Sequence, residues 1–492
     1  MNKVYKNSTE LMQLHGQPIY MQDMVDACLV GRLNLFLQGD TGSGKTQLAR
    51  DVMAYFGTTT GDGKFASQLQ SVYKERLGNP ANTAINATKS FPQDRSLFIL
   101  GRNDMDTREL FQQINLGKLY TKPTHSLEPL VNPDTGEVEF YYPKVDEKGI
   151  FVYQRLTKDQ AEVVRGRLEQ LAGSTENLKE ITSRVNTNLI VVDELPNCVA
   201  AVRAHLFNIG DGFIELNGKA YPFGNGYSVM IATGNLGQKF TESSNELGRA
   251  LKDRMHVIID TDYFFPGAGD TLEILAGNTN PRVEFTENGE TDYNKIIDKH
   301  REVTARPIPL EKLFIANYLL HGLDYCSKGS KRKMKDAWPT QLENHEQGSD
   351  VGLVLPVSPR AAKSIIRLSQ SLDQVAVDKG VPNETVESGA FDSMMQAYKF
   401  VSAYSGVLND ASVEANYGGD RYKAIDAVIA TTRQQFYGEK NNPGMNEKIN
   451  AGLEMVSSGK LDQRVLNLFQ GRWEFMRPTL EQMLKSNTEQ EA

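Results

Sequence analysis

The chain has 492 residues, length for about three ordinary domains. Its 54 lysines and arginines against 62 aspartates and glutamates give a formal net charge of −8, with 39% hydrophobic and 24% charged residues. That balance excludes a disordered or collagen-like chain and speaks against a nucleic-acid packaging role.

The opening MNKVYKNSTELMQLHG lacks a charged-then-apolar leader, and no run approaches the roughly 18 apolar residues of a membrane span. Cys28, Cys198 and Cys326 lie far apart, and no histidines pair at metal-ligand spacing. Isolated cysteines suit a reducing compartment, so the expected location is cytoplasmic.

Short, β-branched apolar runs predict buried parallel strands at Leu33 to Leu37, Leu189 to Val192, Val229 to Ala232 and Val257 to Ile259, with Leu97 to Leu100 as a fifth. The turn-rich segments 58–64 and 131–140 mark insertions between the first strand and the Leu189 strand. Asn197 to Ile209 reads as a helix with Val199, Val202, Leu206 and Ile209 inward, ended by Gly210 and Gly212. Asn217-Gly218 between strand-like runs signals a two-residue hairpin. Residues 276–305 read as a polar connection, and a helical pattern follows from about 306. There Ser358 is the expected N-cap and Pro359 the first helical residue. Ala361, Ile365, Leu368, Leu372 and Val375 form one stripe, and Phe391, Met394, Met395, Tyr398 and Val401 a second. Lys328 to Lys335 reads as a solvated basic insertion.

Gly39-Asp40-Thr41-Gly42-Ser43-Gly44-Lys45-Thr46 fits G-x-x-x-x-G-K-[ST] completely, after a strand and before a helix. Glycines let consecutive backbone N–H groups close around an anion, and the following helix aims its positive end at it. Lys45 then supplies a point charge to β- and γ-phosphates, and the Thr46 hydroxyl is a magnesium ligand. The strand NLIVVDE ends in two carboxylates: Asp193 to hold the metal and Glu194 to polarise an attacking water. Asn235, beyond the Val229 strand, reads equally well as a turn residue or as one that orients that water.

With these pieces in order, the chain resembles the AAA+ ATPases, and among them the MoxR-like group. Residues 193–235 look like that family's Walker B, helix, hairpin insert and sensor 1 in succession, placing Asn235 at sensor 1. ELGRALKDRM (246–255) resembles the arginine-finger segment, which maps the finger onto Arg254 with Arg249 as its rival. DYFFPGAGDTLEIL (262–275) resembles the turn and helix leading to the lid. Ser358-Pro359-Arg360 matches sensor 2, so Arg360 would reach nucleotide from the lid.

The resemblance covers roughly residues 15–57, 186–275 and 355–405. It departs at Leu195-Pro196-Asn197, where the group usually has Ile-Asn-Arg. It implies an α/β P-loop core over 1–275 with a central parallel sheet and insertions near 58–185. A connection (276–305), a helical lid with sensor 2 (306–405) and a C-terminal helical region (406–492) follow. The implied function is a ring ATPase, usually a hexamer, that uses ATP and Mg2+. Arg254 completes a neighbour's site, and turnover remodels or matures a protein client, often with a von Willebrand A domain partner. The competing expectation is a nucleic-acid-associated motor or restriction-type NTPase, which the acidic composition disfavours. No base-reading motif separates ATP from GTP.

Overall fold

The computed structural model describes residues 5–40, 42–56, 95–102, 183–198, 200–216, 219–235, 254–276, 293–322, 357–408, 410–439, 442–470 and 476–490, a few isolated positions, and pieces of backbone between 111 and 181. Near the amino terminus, β1 (Glu10–Leu14) and β2 (Gln17–Tyr20) form an antiparallel hairpin turning at His15-Gly16. α1 (Met21–Gly31) ends at Arg32, a left-handed residue with φ 52° whose N–H closes on the Cys28 and Leu29 carbonyls. That cap delays the first central strand, so β3 is Leu35–Gln38; Leu33 and Asn34 are buried but precede it.

α2 (Lys45–Phe56) and β4 (Ser96–Leu100) come next. Between β4 and the following strand, Glu128–Val131, Val138–Val145 and Phe151–Leu156 make a three-stranded antiparallel meander, so the expected insertion carries sheet structure of its own. β5 (Leu189–Asp193) leads through a 3-10 turn at Leu195–Asn197 into α3 (Ala200–Gly210). The turn, built around Pro196, makes that helix start three residues later than its apolar spacing suggests; Val199 is outside the described residues. β6 (Phe213–Leu216) and β7 (Lys219–Pro222) pair as the expected hairpin.

β8 (Val229–Gly234) and β9 (Val257–Asp260) complete a five-stranded, all-parallel sheet in the order β9-β3-β8-β5-β4. Alternation along the strands divides the core in two. Leu35, Leu37, Leu189, Val191, Ile231 and Ile259 pack into one layer with α1, α2 and the helices that follow the sheet. Phe36, Ile190, Val192, Met230, Ala232 and Ile258 face α3 through Val202, Leu206 and Ile209. A sheet covered on both faces needs apolar side chains at every position, which is why these runs showed no polar alternation.

After the sheet come α4 (Ala268–Ala276), α5 (Tyr293–Ala305), α6 (Leu310–Asn317), α7 (Pro359–Asp378), α8 (Ala390–Ser402), α9 (Arg421–Tyr437), α10 (Met445–Ser457) and α11 (Met476–Gln490). α5 corrects the reading of 276–305 as a polar connection. Its apolar face is narrow, resting on Ile296, Ile297 and Val303, and the polar residues around it masked the period. Ser358 caps α7 by accepting from the Ala361 N–H at 3.1 Å, and both expected apolar stripes are buried. Lys312 is buried in α6, where its ammonium donates to Ser369 Oγ and to Asp373, while the other Asp373 oxygen meets His15 Nε2 at 3.2 Å. A buried charge needs such partners, and this set fastens the amino-terminal hairpin to α6 and α7. The whole is an α/β core built on a five-stranded parallel sheet, followed by a helical C-terminal region.

Candidate active site

Parallel strands bring their carboxyl ends to one edge, where loops from different strands can build a common site. β3 delivers the glycine-rich loop there. Gly39 must lack a side chain, since a Cβ would stand 2.2 Å from Thr261 Oγ1. At Gly44, φ is 81° and a Cβ would meet the Tyr5 ring at 2.7 Å. The Asp40 N–H donates to Asp262 Oδ2 at 2.7 Å, and Ser43 Oγ donates to the Asp40 carbonyl at 3.0 Å. Gly42 is described and Thr41 lies outside the described residues.

Lys45 opens α2 and is buried. Its ammonium donates to the Gly39 carbonyl at 2.9 Å, the Asp40 carbonyl at 2.7 Å and Ser43 Oγ at 3.2 Å. Burial pushes its pKa down, opposed by the carboxylates of Asp262, Glu194, Asp40 and Asp193. The ammonium is therefore folded against the loop's own oxygens, where an incoming phosphate would compete for it.

One strand intervenes between β3 and β5, yet the two ends meet. Thr46 Oγ1 lies 3.0 and 3.2 Å from the two Asp193 oxygens. Thr233, near the end of the intervening β8, donates its hydroxyl to Asp193 Oδ1 at 2.6 Å and accepts the Glu194 N–H at 3.1 Å. Glu194 is left-handed, φ 58° and ψ 46°, at a cost of roughly 1–2 kcal/mol for a residue with a Cβ. The turn breaks strand alternation just after Asp193, so both carboxylates serve the same edge. Burial, then the neighbouring Asp193 charge, raises the Glu194 pKa, with Lys45 pulling it back.

These donors fit a nucleoside triphosphate with a hard divalent cation. A threonine hydroxyl beside a carboxylate is an all-oxygen set of the kind magnesium takes. Asn235 follows Gly234, whose carbonyl accepts the Gly39 N–H at 3.3 Å, so it stands beside the mouth of the loop. Its Oδ1 is buried with no hydrogen-bond partner, as a group kept for a ligand or water would be.

The two motif arginines lie elsewhere. Arg254 precedes β9, at the amino edge of the sheet, with β3 between it and the loop, about 16 Å of extended chain from Asn34 to Gly39. Its Nε bonds Asp211 Oδ2 at 2.9 Å, and its guanidinium lies 5.4 Å from the centre of the Phe207 ring. Arg360 joins the same carboxylate, Nη2 to Oδ1 at 3.8 Å, so the structure places it with Arg254 at the amino edge and not over the chain's own loop. Arg249 and the basic run 328–335 are outside the described residues.

Sequence reasoning passed over Thr233, Asp262 and Asp211 as site residues. Thr233 had a signal, a hydroxyl at the end of a buried strand beside Asn235. Asp262 and Asp211 had none, because each matters through a contact more than 40 residues away in sequence. Among the described residues there is no group of three or more His, Cys, Asp or Glu side chains placed to hold a metal ion, and no helix is long and apolar enough to cross a membrane.

No family model matches the chain, and no curated protein matches it. Among solved structures, it is similar to a protein from Cytophaga hutchinsonii named "putative ATPase", at 14% identity over 84% of this chain and 88% of that one, with a TM-score of 0.44. At that score the likeness bears no weight; the loop and the Asp193 strand end bear it instead.

Proposed function

We propose that this chain is a magnesium-dependent ATPase of the MoxR-like AAA+ kind, acting as a ring, with turnover coupled to remodelling or maturation of a protein client. The observation that carries this reading is the meeting of the Thr46 hydroxyl with the Asp193 carboxylate at 3.0 Å, beside a lysine folded into a glycine-rich loop. In this reading the loop N–H groups, with Lys45, hold the phosphates. Thr46 and Asp193 hold magnesium, which supplies neutralising charge to the phosphate oxygens. Glu194, raised toward a useful basicity by burial, takes the proton of the attacking water, and Asn235 orients that water through its unsatisfied Oδ1.

Arg254 and Arg360 stand a strand's length from their own loop, which supports their serving the loop of the next copy around a ring. A guanidinium there offsets transition-state charge where water is scarce. The ring of six, the protein client and a von Willebrand A partner come from the sequence resemblance and belong to this proposal.

The test is Glu194→Gln. The variant is expected to bind ATP as the parent does, to lose turnover, and to accumulate as a ring when sized with ATP. Sustained turnover would assign the water to another residue. Nucleic acid co-purifying with the trapped ring would favour the motor reading over a protein client.

A further inference from the structure

Asn34 lies just before β3, 2% exposed, and every hydrogen-bonding group it owns is used. Its side-chain amide donates to the Gly210 carbonyl at 3.0 Å and the Arg254 carbonyl at 3.1 Å. Its Oδ1 accepts the Met230 N–H at 2.9 Å. Its own N–H donates to His256 Nδ1 at 2.9 Å, and its carbonyl accepts the Val257 N–H at 3.0 Å. One residue therefore grips positions 254, 256 and 257, and also the last residue of α3, whose neighbour Asp211 is the carboxylate partner of Arg254.

The Arg254–Asp211 pair is partly exposed on both sides, 25% and 26%. Ion pairs open to solvent hold side chains weakly. The pair alone does not fix the guanidinium; its aim depends on where the two backbones are held. The Asn34 amide is the group common to both. Gly210 supports the contact by having no Cβ, since a methyl there would approach the amide nitrogen to 3.1 Å.

We propose that Asn34 is a positioning residue for Arg254, setting the guanidinium that completes a neighbouring site; this rests on the reading of Arg254 given above. It touches no nucleotide and acts only through the arginine. A displacement of about 1 Å in such a group lowers a rate by about a hundredfold.

The experiment compares Asn34→Ala with Arg254→Ala, each alone and each mixed with Lys45→Ala protein. Asn34→Ala is expected to bind ATP within about twofold of the parent and to turn over about ten- to a hundredfold more slowly. Mixed with Lys45→Ala, its intact loops meet intact arginines on neighbouring copies, and turnover rises severalfold. A general loss of stability would not be relieved by a neighbour in this directional way. Normal turnover by Asn34→Ala overturns the proposal. So does failure of the mixture to recover while the Arg254→Ala mixture does. If neither mixture recovers, the neighbour-serving reading of Arg254 fails first and takes this one with it. Should Asn34→Ala lose nucleotide binding, Gly210→Ala is measured in the same way, because its methyl, 3.1 Å from the amide nitrogen, presses on the contact while the Asn34 side chain is kept. Slowed turnover that Lys45→Ala protein relieves supports the proposal, and unchanged turnover overturns it.

Discussion

The two edges of the central sheet differ in how their charges are held. At the carboxyl edge, Lys45 is held by the loop's own oxygens and Thr46 by Asp193, with contacts of 2.7 to 3.2 Å. At the amino edge, two arginines share one half-exposed carboxylate, one at 2.9 Å and the other at 3.8 Å. The first edge is organised within a single chain. The second gathers two arginines around one partly exposed carboxylate, an arrangement suited to a negative group brought by another molecule. The contrast separates residues that should govern nucleotide affinity from those that should govern rate.

The largest expected effects test that separation directly. Lys45→Ala should abolish ATP binding, read by titration calorimetry, and turnover with it. Arg254→Ala should leave binding unchanged and lower turnover by about 10³-fold or more, measured as phosphate release. An Arg254→Ala protein that lost binding along with rate would break the comparison. Arg360→Ala sharpens it. At 3.8 Å from Asp211 its hold is looser than that of Arg254, and a loss of about ten- to a hundredfold in turnover at unchanged affinity is expected. A loss of affinity that Lys45→Ala protein could not restore on mixing would instead return Arg360 to its own chain's nucleotide.

Thr233→Val is a smaller test, confined to the carboxyl edge. The hydroxyl donates to Asp193 and accepts from Glu194, so the isosteric change leaves a buried carboxylate oxygen and an N–H short of a partner. The expected loss is about 1–3 kcal/mol of stability, from denaturant titration, together with a higher magnesium requirement for turnover.

Much of the carboxyl edge was legible because its residues are local motifs. A loop from Gly39 to Thr46 and a strand ending in Asp193-Glu194 each declare their chemistry within eight residues. The five strands could be found because burial on both faces demands uninterrupted apolar runs. The amino edge was not legible in the same way. Arg254 and Arg360 were marked by resemblance, but what they share, Asp211, is 43 residues from the first and 149 from the second, and it looked like one polar residue between two helix-ending glycines. Asn34 lay unremarked inside the run expected as the first strand, and the segments it joins meet only in the fold. Asp260 is similar: it accepts from Gln38 and from Tyr404, linking the end of β9 to both the phosphate-loop strand and the C-terminal helices. Contacts of this length leave no period in a sequence.

The smallest expected effect concerns Glu194 itself, and its sign is fixed by the site. Burial and the Asp193 charge hold its folded pKa above the ordinary 4.5, with Lys45 only partly compensating. A carboxyl raised in this way favours the folded protein only while protonated; that contribution is complete below 4.5 and is lost as pH rises through the folded value. Glutamine carries no such penalty. Glu194→Gln protein without nucleotide should therefore melt at a higher temperature than the parent at neutral pH, and the gap should close as pH is lowered past 4.5. A thermal-shift series across that window checks it. A gap that persisted into acid would mean that hydrogen bonding by the glutamine amide, and not the carboxylate charge, sets the difference.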